Sequence, residues 1–323
     1  MEQPVTSDRG DIPARSLLLT APQRLEWVSA TLPPLGERDV LVQTRTGAIS
    51  TGSELPHYLG NSRSSKPTSY PCMTGYESVG TVLACGVAVQ HIRVGERVVA
   101  FYGHRTHAIV PEAKAIVVPA DISDALAILA ILSCDAAKGV RKLAPQADEP
   151  VLVTGAGTMG LLTLFILKAC GVAIVDMVEP RRERHALAYR LGASHVLCPQ
   201  DLPTTSESYA AGFECSSSNA AFTLLQQQMQ QDGRICITAD GNREPLVLAP
   251  AFHEKELRPV GSSDGWDYHA HAAWYFQYLR QHPTSLEALF EIRVSADALI
   301  ATFAHLAAGA LQPVKVLVDY AEP

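Results

Sequence analysis

The stretch VLVTGAGTMGLLTLFILKACGVAIVDMVE, from Val151 to Glu179, decides the fold of this 323-residue chain. It begins with a short apolar run, Val151 to Thr154, that is typical of a buried strand. The run breaks into the glycine turn GAGTMG at 155–160, and an apolar segment then continues to Gly171. Strand, glycine turn and helix in this order are the pattern of a dinucleotide-binding unit.

Each glycine of the turn has a separate task in holding a pyrophosphate. Gly155 suits the tight turn, Gly157 lets the backbone approach the phosphates, and Gly160 allows the helix to pack closely on the strand. A purely structural glycine turn is the alternative, but strand, motif, helix, second strand and acid in register favour the dinucleotide. We therefore expect the cofactor at Gly155, Gly157, Thr158, Met159 and Gly160.

Glu179 ends the next apolar run, Ala173 to Val178, and lies 24 residues after Gly155. A carboxylate near this spacing meets the adenosine ribose hydroxyls and repels a 2′-phosphate. We therefore expect NAD(H) in preference to NADP(H). Arg181 and Arg182 follow at once and could hold a phosphate, so NADP(H) stays an alternative and Arg181 joins the candidate cofactor residues.

Composition places the chain among soluble globular proteins. It is 47% hydrophobic and 18% charged, and its length is that of two domains. The net charge of −7, without a Lys/Arg block, argues against nucleic acid and a membrane surface as partners. Met1 to Arg15 lacks the apolar core of a signal peptide, so a cytoplasmic protein is expected. The seven cysteines are scattered without a CxxC, which argues against a disulfide framework and a cysteine zinc knuckle.

Two kinds of pattern divide the chain. Short strands punctuated by glycine and proline fill residues 16–119 and predict an all-β, barrel-like domain. At Ser123 a capping serine opens a helical run to about Leu143. From Val151 strands and helices alternate with short links, which predicts a parallel, doubly wound sheet and an α/β protein. The helices predicted beyond 180 are 181–191, 219–231, 268–280 and 295–308, and the last predicted strand is 314–320.

Three further motifs carry a family resemblance. They are Gly75-Tyr76-Glu77 followed by Val79-Gly80, then Gly95-Glu96-Arg97-Val98, and Thr51-Gly52-Ser53-Glu54-Leu55. With the glycine turn, they resemble the signatures of the medium-chain dehydrogenase/reductase superfamily, the alcohol dehydrogenase and quinone reductase group. The resemblance implies a GroES-like β-barrel catalytic domain at 1–131 and 262–323, a Rossmann dinucleotide-binding domain at 132–261 and an active site between them. It also implies a small-molecule alcohol or carbonyl substrate, and a homodimer is expected.

The sequence departs from the zinc-dependent members where they hold the catalytic metal. In those enzymes the ligands are a cysteine, the histidine of the GHE signature and a third cysteine or acid. The matching positions here carry Thr51, Tyr76 and approximately Ala130. Zinc prefers thiolate, imidazole and carboxylate, so these residues do not suit it. Residues 95–118 also lack the cysteines of the structural zinc lobe, and we therefore expect no metal.

His57, His104 and His107 are the local histidines that could still argue for a metal. His104 and His107, three residues apart, could form a substrate-facing pair or an adventitious metal site. Histidines near strand ends are more often hydrogen-bonded surface or core residues, and we favour that interpretation.

Without zinc, the substrate oxygen needs a hydrogen-bond or proton donor from the protein. Tyr76 stands where the resemblance puts the metal-binding histidine, so we expect it to be the acid/base group, especially if a cation lowers its pKa. Ser53 matches the hydroxyl that begins the family's proton relay, and His57 lies near the histidine that passes the proton to solvent. The alternatives are that the Tyr76 ring only fills the former metal pocket and that Ser53 is a turn hydroxyl.

Two further groups have a structural interpretation that we favour. Glu54 and Glu77 match buried acids of the family, with Lys315 as a base facing them, and such charges generally persist by pairing. Cys134 aligns with a position beside the nicotinamide, which makes it a candidate cofactor contact. A packed helix cysteine is favoured over a covalent role, since nothing in the sequence marks the thiol as activated.

The sequence thus predicts an enzyme, a zinc-independent NAD(P)(H)-dependent oxidoreductase that interconverts an alcohol and a carbonyl by hydride transfer. Ile49 to Glu54 is similar to the segment of the bacteriochlorophyllide hydroxyethyl dehydrogenase branch, which implies a secondary alcohol or ketone. A quinone- or enoyl-type C=C reductase is the second interpretation. A non-catalytic dinucleotide-binding protein is the third, because binding and chemistry share the glycine motif.

Overall fold

The computed structural model describes residues 13–61, 68–203, 206–239 and 244–320. Its strands are β1 (Pro13–Ala21), β2 (Arg24–Thr31), β3 (Asp39–Ile49), β4 (Cys72–Met73), β5 (Glu77–Cys85), β6 (Arg97–Ala100), β7 (His107–Pro111), β8 (Ile116–Val118), β9 (Val151–Thr154), β10 (Val175–Val178), β11 (Val196–Leu197), β12 (Tyr209–Glu214), β13 (Met229–Ile237), β14 (Arg258–Gly261), β15 (Phe290–Ser295) and β16 (Lys315–Asp319). Its α-helices are α1 (Thr51–Tyr58), α2 (Asp124–Ile128), α3 (Ala130–Leu143), α4 (Thr158–Ala169), α5 (His185–Arg190), α6 (Asn219–Gln228), α7 (Pro250–Glu254), α8 (Tyr268–Gln281) and α9 (Leu299–Ala307). Within these described ranges, none of the helices has the length and apolar character needed to cross a membrane.

The first part of the chain builds a sheet that the last part completes. Its order is β15-β16-β3-β5-β6-β8, and β7 also pairs with β3. Apart from the parallel pair β15 and β16, its neighbouring strands are antiparallel. Buried valines such as Val40, Val42, Val82 and Val98 form a core on one side of this sheet. β2, β1 and β4 form a separate small sheet. The region is mostly β-strand, as predicted, but it is not all-β, because helix α1 lies within it.

Six strands form the second large sheet in the order β11-β10-β9-β12-β13-β14. All of its neighbouring strands are parallel. The chain therefore starts in the middle at β9, runs to one edge and returns to build the other, which is the strand order of dinucleotide-binding sheets. β9 and β10 are buried along their whole length, as expected where helices cover both faces. The predicted parallel, doubly wound sheet is confirmed.

Several predicted boundaries are wrong. The helix predicted at 181–191 begins only at His185, and the helix predicted at 295–308 begins only at Leu299, because a short 3₁₀ turn precedes each.

The helical run after Ser123 is two helices, α2 and α3, which are divided at Leu129. The capping role of Ser123 is confirmed, since its hydroxyl accepts the N–H of Leu126. α6 ends at Gln228 and not at Gln231, because β13 begins at the next residue and pairs with β12. The sequence pattern would allow the helix to continue to Gln231, but pairing of β13 with β12 ends it earlier.

The elements that were missed are α1, α7, β2, β4, β14 and β15. Four of them show why the sequence pattern carries no clear signal. α1 contains both Gly52 and Pro56, which are poor residues for a helix interior. β14 has four residues, includes Pro259 and is mostly exposed. β2 and β15 carry charged residues on their exposed faces and have little continuous apolar character.

The strand positions support the two-domain division, which stays a proposal. The parallel sheet takes its strands from 151–261, whereas the other large sheet takes its strands from 39–118 and 290–319. The boundaries proposed from the sequence, 1–131 with 262–323 and 132–261, agree with this separation of the strands.

Candidate active site

The glycine turn has the geometry that a bound pyrophosphate requires. Gly155 has a φ of 88°, a conformation that side chains disfavour. A Cβ on Gly160 would overlap the carbonyl oxygen of Gly155, so only glycine lets α4 lie this close to β9. A Cβ on Gly157 would meet nothing within 4 Å, which leaves open space over the turn. Gly157 is also the N-cap of α4, so the free N–H groups of the helix face that space.

Thr158 and Met159 begin α4, and their side chains have structural roles. The Thr158 hydroxyl donates to the carbonyl oxygen of Val314 at 3.0 Å. This bond fastens the start of α4 to the segment before β16. Met159 is half-buried and packs against the core. Contact with a cofactor at these two positions would therefore come through their backbone N–H groups.

Glu179 lies directly beside the glycine turn. Its Oε2 accepts the N–H of Ala156 at 2.7 Å, and its Oε1 accepts the N–H of Arg181 at 2.9 Å. The side chain is buried, with 4% exposed. A carboxylate oxygen can accept more than one hydrogen bond, so both oxygens keep acceptor capacity for ribose hydroxyls.

Three arginines follow Glu179 closely in the chain. Arg181 and Arg182 are exposed, and Arg184 is half-buried. Burial lowers the pKa of Arg184, and the charge of Arg181 lowers it further. Arg184 donates to the carbonyl oxygen of Gln312 at 3.3 Å. Two neighbouring cations, Arg181 and Arg184, could thus bind a phosphate near Glu179. NADP(H) therefore remains the alternative cofactor.

The structure brings two of the three predicted catalytic residues together. The Ser53 and Tyr76 hydroxyls lie 3.1 Å apart, Ser53 in the first turn of α1 and Tyr76 just before β5. The turn that presents Tyr76 depends on Gly75, which has a φ of 72° and lies against the His104 ring. This contact joins residues that the sequence places 23 positions apart.

The electrostatics around Tyr76 differ from the expectation. Burial raises the pKa of its hydroxyl well above the usual value, and the Glu77 charge raises it further. Hydrogen bonds to Ser50 and Ser53 lower the pKa by less. The hypothesis that a nearby cation lowers this pKa is wrong, since the Lys315 ammonium is paired with Glu77 instead. The Tyr76 hydroxyl therefore keeps its proton at neutral pH and is able to donate a hydrogen bond.

His57 lies apart from this pair. Its Nε2 is 3.3 Å from the Cys72 sulfur, and the described part of the chain shows no hydrogen bond from it to Ser53 or Tyr76. The structure thus does not complete a direct three-residue relay.

The buried charges beneath Tyr76 form two pairs. Lys315 and Glu77 are joined at 2.6 Å with both side chains fully buried. Glu54 accepts the Ser50 N–H at 2.8 Å and lies 3.1 Å from the Nε2 of the buried His104. Burial raises the pKa of Glu77, and the adjacent Lys315 opposes that rise. The favoured interpretation, that these buried acids are paired, agrees with the structure, except that Glu54 pairs with His104 and not with Lys315.

The two histidines His104 and His107 lie in different surroundings. His104 is buried against Glu54, whereas His107 lies on β7 with its Nδ1 3.2 Å from the Thr106 hydroxyl. Among the described residues, no cluster of three His, Cys, Asp or Glu side chains could hold a metal. The donor set at Thr51, Tyr76 and Ala130 does not fit zinc, because it offers no thiolate, imidazole or carboxylate.

Cys134 is a packed thiol. It is free and buried, and burial raises its pKa to about 11, so the thiolate is scarce at neutral pH. A Cβ on Gly265 would overlap its sulfur, which shows how closely the loop before α8 lies on α3. The favoured packing role agrees with this environment.

Sequence reasoning missed an aromatic row that leads away from Tyr76. The Tyr76 and Phe101 rings stack at 6.5 Å, and the Phe101 and Tyr268 rings meet edge to face at 4.9 Å. The Tyr268 hydroxyl then donates to the Asp135 carboxylate at 2.8 Å. The only signals in the sequence were the aromatic-rich segment from 268 and the acid next to Cys134.

The sequence of this chain is similar to those of known dehydrogenases. Residues 36–119 match the family model for the alcohol dehydrogenase GroES-like domain. An L-threonine 3-dehydrogenase from Chelativorans sp. (strain BNC1) is 26% identical over an alignment that spans 95% of this chain and 98% of that protein.

Solved structures agree on the fold. The 2R,3R-butanediol dehydrogenase from Bacillus subtilis has a TM-score of 0.80 and 21% identity, covering 95% of this chain and 99% of that one. A structure described as a zinc-binding dehydrogenase from Sinorhizobium meliloti 1021, bound to NADP, has a TM-score of 0.83 and 19% identity, with coverages of 95% and 99%. At such identities the likeness shows the fold. The predicted fold, a GroES-like β-barrel with a Rossmann sheet, is confirmed.

The glycine geometry yields a prediction with a matched pair of variants. Gly157→Ala should keep near wild-type stability, because its backbone is extended and the added methyl group meets open space. It should weaken NADH binding by about tenfold or more, about 1.4 kcal/mol, because the methyl group takes the place of a phosphate. Gly160→Ala should instead lower the free energy of unfolding by about 1 to 3 kcal/mol through overpacking. Urea denaturation and NADH fluorescence titration measure the two effects. Unchanged NADH affinity in Gly157→Ala would mean that the cofactor does not lie over this glycine.

Proposed function

We infer the reaction from one premise: this chain belongs to the medium-chain dehydrogenase/reductase superfamily and is an alcohol dehydrogenase-like oxidoreductase that uses a nicotinamide cofactor on a small-molecule substrate. We propose that it interconverts a secondary alcohol and a ketone by hydride transfer, without zinc. The observation that carries the proposal is the hydroxyl pair of Ser53 and Tyr76, 3.1 Å apart, at the position where zinc-dependent members hold a metal ligand.

The residues that would hold the cofactor are those of the glycine turn and Glu179. The open space over Gly157 and the N-terminus of α4 suit a pyrophosphate, and the fixed carboxylate of Glu179 suits the adenosine ribose. When bound, the nicotinamide supplies the hydride acceptor or donor. The protein must therefore supply the position of the substrate and the path of its proton.

Tyr76 would donate a hydrogen bond to the substrate oxygen. Its raised pKa keeps the hydroxyl protonated, which suits a donor to a carbonyl oxygen or to an alkoxide as it develops. Ser53 can accept from or donate to the same hydroxyl, so it would orient Tyr76 and relay a proton. His57 is a candidate for a later step toward solvent, next to Cys72.

Three further features rest on the resemblance or composition alone. We propose a homodimer, a cytoplasmic location and no nucleic-acid partner. The domain division at 131 and 262 is part of the same proposal.

Tyr76→Phe is expected to lower the turnover of a secondary alcohol or ketone by about 10²- to 10⁴-fold, the usual cost of losing an acid/base group. NADH affinity should stay near that of the wild type, because the ring and its packing on Phe101 remain. Ser53→Ala should show a smaller loss of the same kind. The measurement is single-turnover kinetics on a panel of ketones and enones. Full activity in Tyr76→Phe would mean that His57 or His104, and not Tyr76, is the acid/base group. Activity of the wild type on enones alone would favour the C=C reductase. NADH binding without turnover of any candidate substrate would favour the non-catalytic interpretation.

The cofactor preference gives a second expectation. NADH should bind at least about tenfold more tightly than NADPH, because the Glu179 carboxylate is fixed by two backbone N–H groups and cannot turn away from a 2′-phosphate. Glu179→Gln removes the charge but keeps the size of the side chain, so it should reduce the difference between the NADH and NADPH affinities. Fluorescence titration with both cofactors measures it. Tighter NADPH binding by the wild type would overturn the NAD(H) preference and favour a phosphate site at the neighbouring arginines.

Zinc content is the third expectation. Purified protein should hold no stoichiometric zinc, and chelators should leave its unfolding midpoint and NADH affinity unchanged, because Thr51, Tyr76 and Ala130 offer no zinc ligand. Elemental analysis before and after incubation with a zinc salt and gel filtration measures this. One tightly held zinc per chain would overturn the zinc-free proposal.

A further inference from the structure

Asp135 and Tyr268 form a hydrogen-bonded pair that has no role in the function proposed so far. Asp135 lies on α3 and Tyr268 is the first residue of α8. The Tyr268 hydroxyl donates to the Asp135 Oδ1 at 2.8 Å and accepts the N–H of Gly265 at 2.8 Å. A phenol oxygen has two acceptor positions, so one remains for a hydroxyl group from a ligand.

The pair is connected to the carboxyl end of β14 in the parallel sheet. Residues 262–267 follow the carboxyl end of β14 and lead into Tyr268. Lys138, one turn after Asp135 on α3, donates to the carbonyl oxygen of Ser263 at 2.7 Å and holds this segment on the helix. A Cβ on Gly261 would meet nothing within 4 Å, so there is open space at the end of the strand. Open α/β sheets bind their ligands beyond the carboxyl ends of the strands.

The aromatic row connects this pair with Tyr76. The Phe101 ring contacts Tyr268 at 4.9 Å and Tyr76 at 6.5 Å, and 45% of Phe101 is exposed. An exposed phenylalanine between two hydroxyl-bearing rings is a surface on which an apolar substrate can lie. Such a substrate would have the Tyr76 hydroxyl on one side and the Tyr268 hydroxyl on the other.

Among the acid and phenol groups of this row, Asp135 is the one that changes protonation near neutral pH. Burial raises its pKa to about 7, the charges of Asp264 and Glu77 act in the same direction, and the Tyr268 hydrogen bond and Lys138 oppose the rise. Burial also raises the pKa of Tyr268, as it does for Tyr76. Both phenols therefore keep a proton at neutral pH.

We propose that the Asp135 carboxylate, acting through the Tyr268 hydroxyl, takes up the proton of the substrate alcohol. The inference rests on the proposed function and gives the alcohol proton a different route from the relay through Ser53 and His57, while Tyr76 keeps its role as hydrogen-bond donor. As the C–H bond of the alcohol breaks and its hydride leaves to the oxidised nicotinamide, the O–H proton passes to the Tyr268 oxygen. Tyr268 gives its own proton to the Asp135 Oδ1 at the same time. The products are a carbonyl compound, a reduced cofactor and a protonated Asp135, which then loses its proton to solvent.

The sign of the pH dependence follows from this role. Only the ionised form of Asp135 can accept a proton, so alcohol oxidation should become faster as pH rises through about 7. Carbonyl reduction needs the protonated form and should become slower over the same range. Tyr76 remains a hydrogen-bond donor throughout.

The test is the pH profile of single-turnover oxidation, with NAD⁺ and a panel that includes 2-butanol and 1-phenylethanol. The pH profile of Asp135→Asn should lack the inflection near pH 7. Above that pH, its oxidation rate should be lower than that of the wild type by about 10²-fold or more. Tyr268→Phe should do the same while keeping its ring contact with Phe101, so it serves if the first variant fails to fold. Asp264→Asn is the matched control: it should keep the rate, and its inflection should move to lower pH because a like charge is lost.

A second readout does not depend on turnover. The Asp135 carboxyl has an ordinary pKa of 3.8 and titrates at about 7 in the folded chain, so the folded state holds the extra proton between these values. Wild-type stability should therefore fall as pH rises through this range, relative to Asp135→Asn. Urea unfolding at several pH values measures the difference.

The outcomes separate the inference from the proposed function. An inflection near pH 7 that persists in Asp135→Asn, or a stability difference that does not change with pH, overturns the role of Asp135 while the proposed function stands. Absence of turnover by the wild type across the panel overturns the proposed function and this inference with it.

Discussion

The buried ion pair of Lys315 and Glu77 is the contact on which the two halves of the site depend. It joins residues 238 positions apart, at 2.6 Å and without exposure to solvent. Removing two charges from water is costly, so such a pair is retained only when the geometry is held closely. Lys315 is the first residue of β16, and Glu77 immediately follows Tyr76. The pair therefore fixes the last strand of the sheet beneath the turn that presents the candidate donor.

The residue before Lys315 makes the second connection. The carbonyl oxygen of Val314 accepts the hydroxyl of Thr158, which starts the helix after the glycine turn. Two adjacent residues thus hold the Tyr76 turn on one side and the N-terminus of α4 on the other. Hydride transfer requires substrate and cofactor to be placed within a fraction of an ångström. A short segment that fixes both partners is a direct way to meet that requirement between two sheets.

The sequence predicted the site most accurately where the role of a residue depends only on its neighbours in the chain. The roles assigned to Gly155, Gly157 and Gly160 agree with a positive φ, an open space and a close backbone approach, because each depends on local backbone geometry. The contact of Ser53 with Tyr76 was anticipated only through a family pattern. Contacts between distant residues were missed: Asp135 and Tyr268 are 133 positions apart, and Glu54 pairs with His104 across 50. Neither residue type nor spacing indicates which acid will meet which partner once the strands are paired.

In the proposed zinc-free site the Tyr76 hydroxyl has a partner, whereas the Glu77 Oε2 and the His104 Nδ1 are buried without one. Losing one metal ligand from a zinc site would leave a buried thiol or imidazole without its partner, which costs about 1 to 3 kcal/mol for each unsatisfied polar group. Here the three matching positions carry Thr51, Tyr76 and Ala130, and the hydroxyl of Tyr76 is paired with Ser53. A bound metal would lower the pKa of a coordinated oxygen by its positive charge. In its place this site has half-buried phenols with raised pKa values, which favour neutral hydrogen-bond donors over a charged electrophile. A separate group that ionises near neutral pH must then carry the proton, and the position of Asp135 at the other end of the aromatic row satisfies that need.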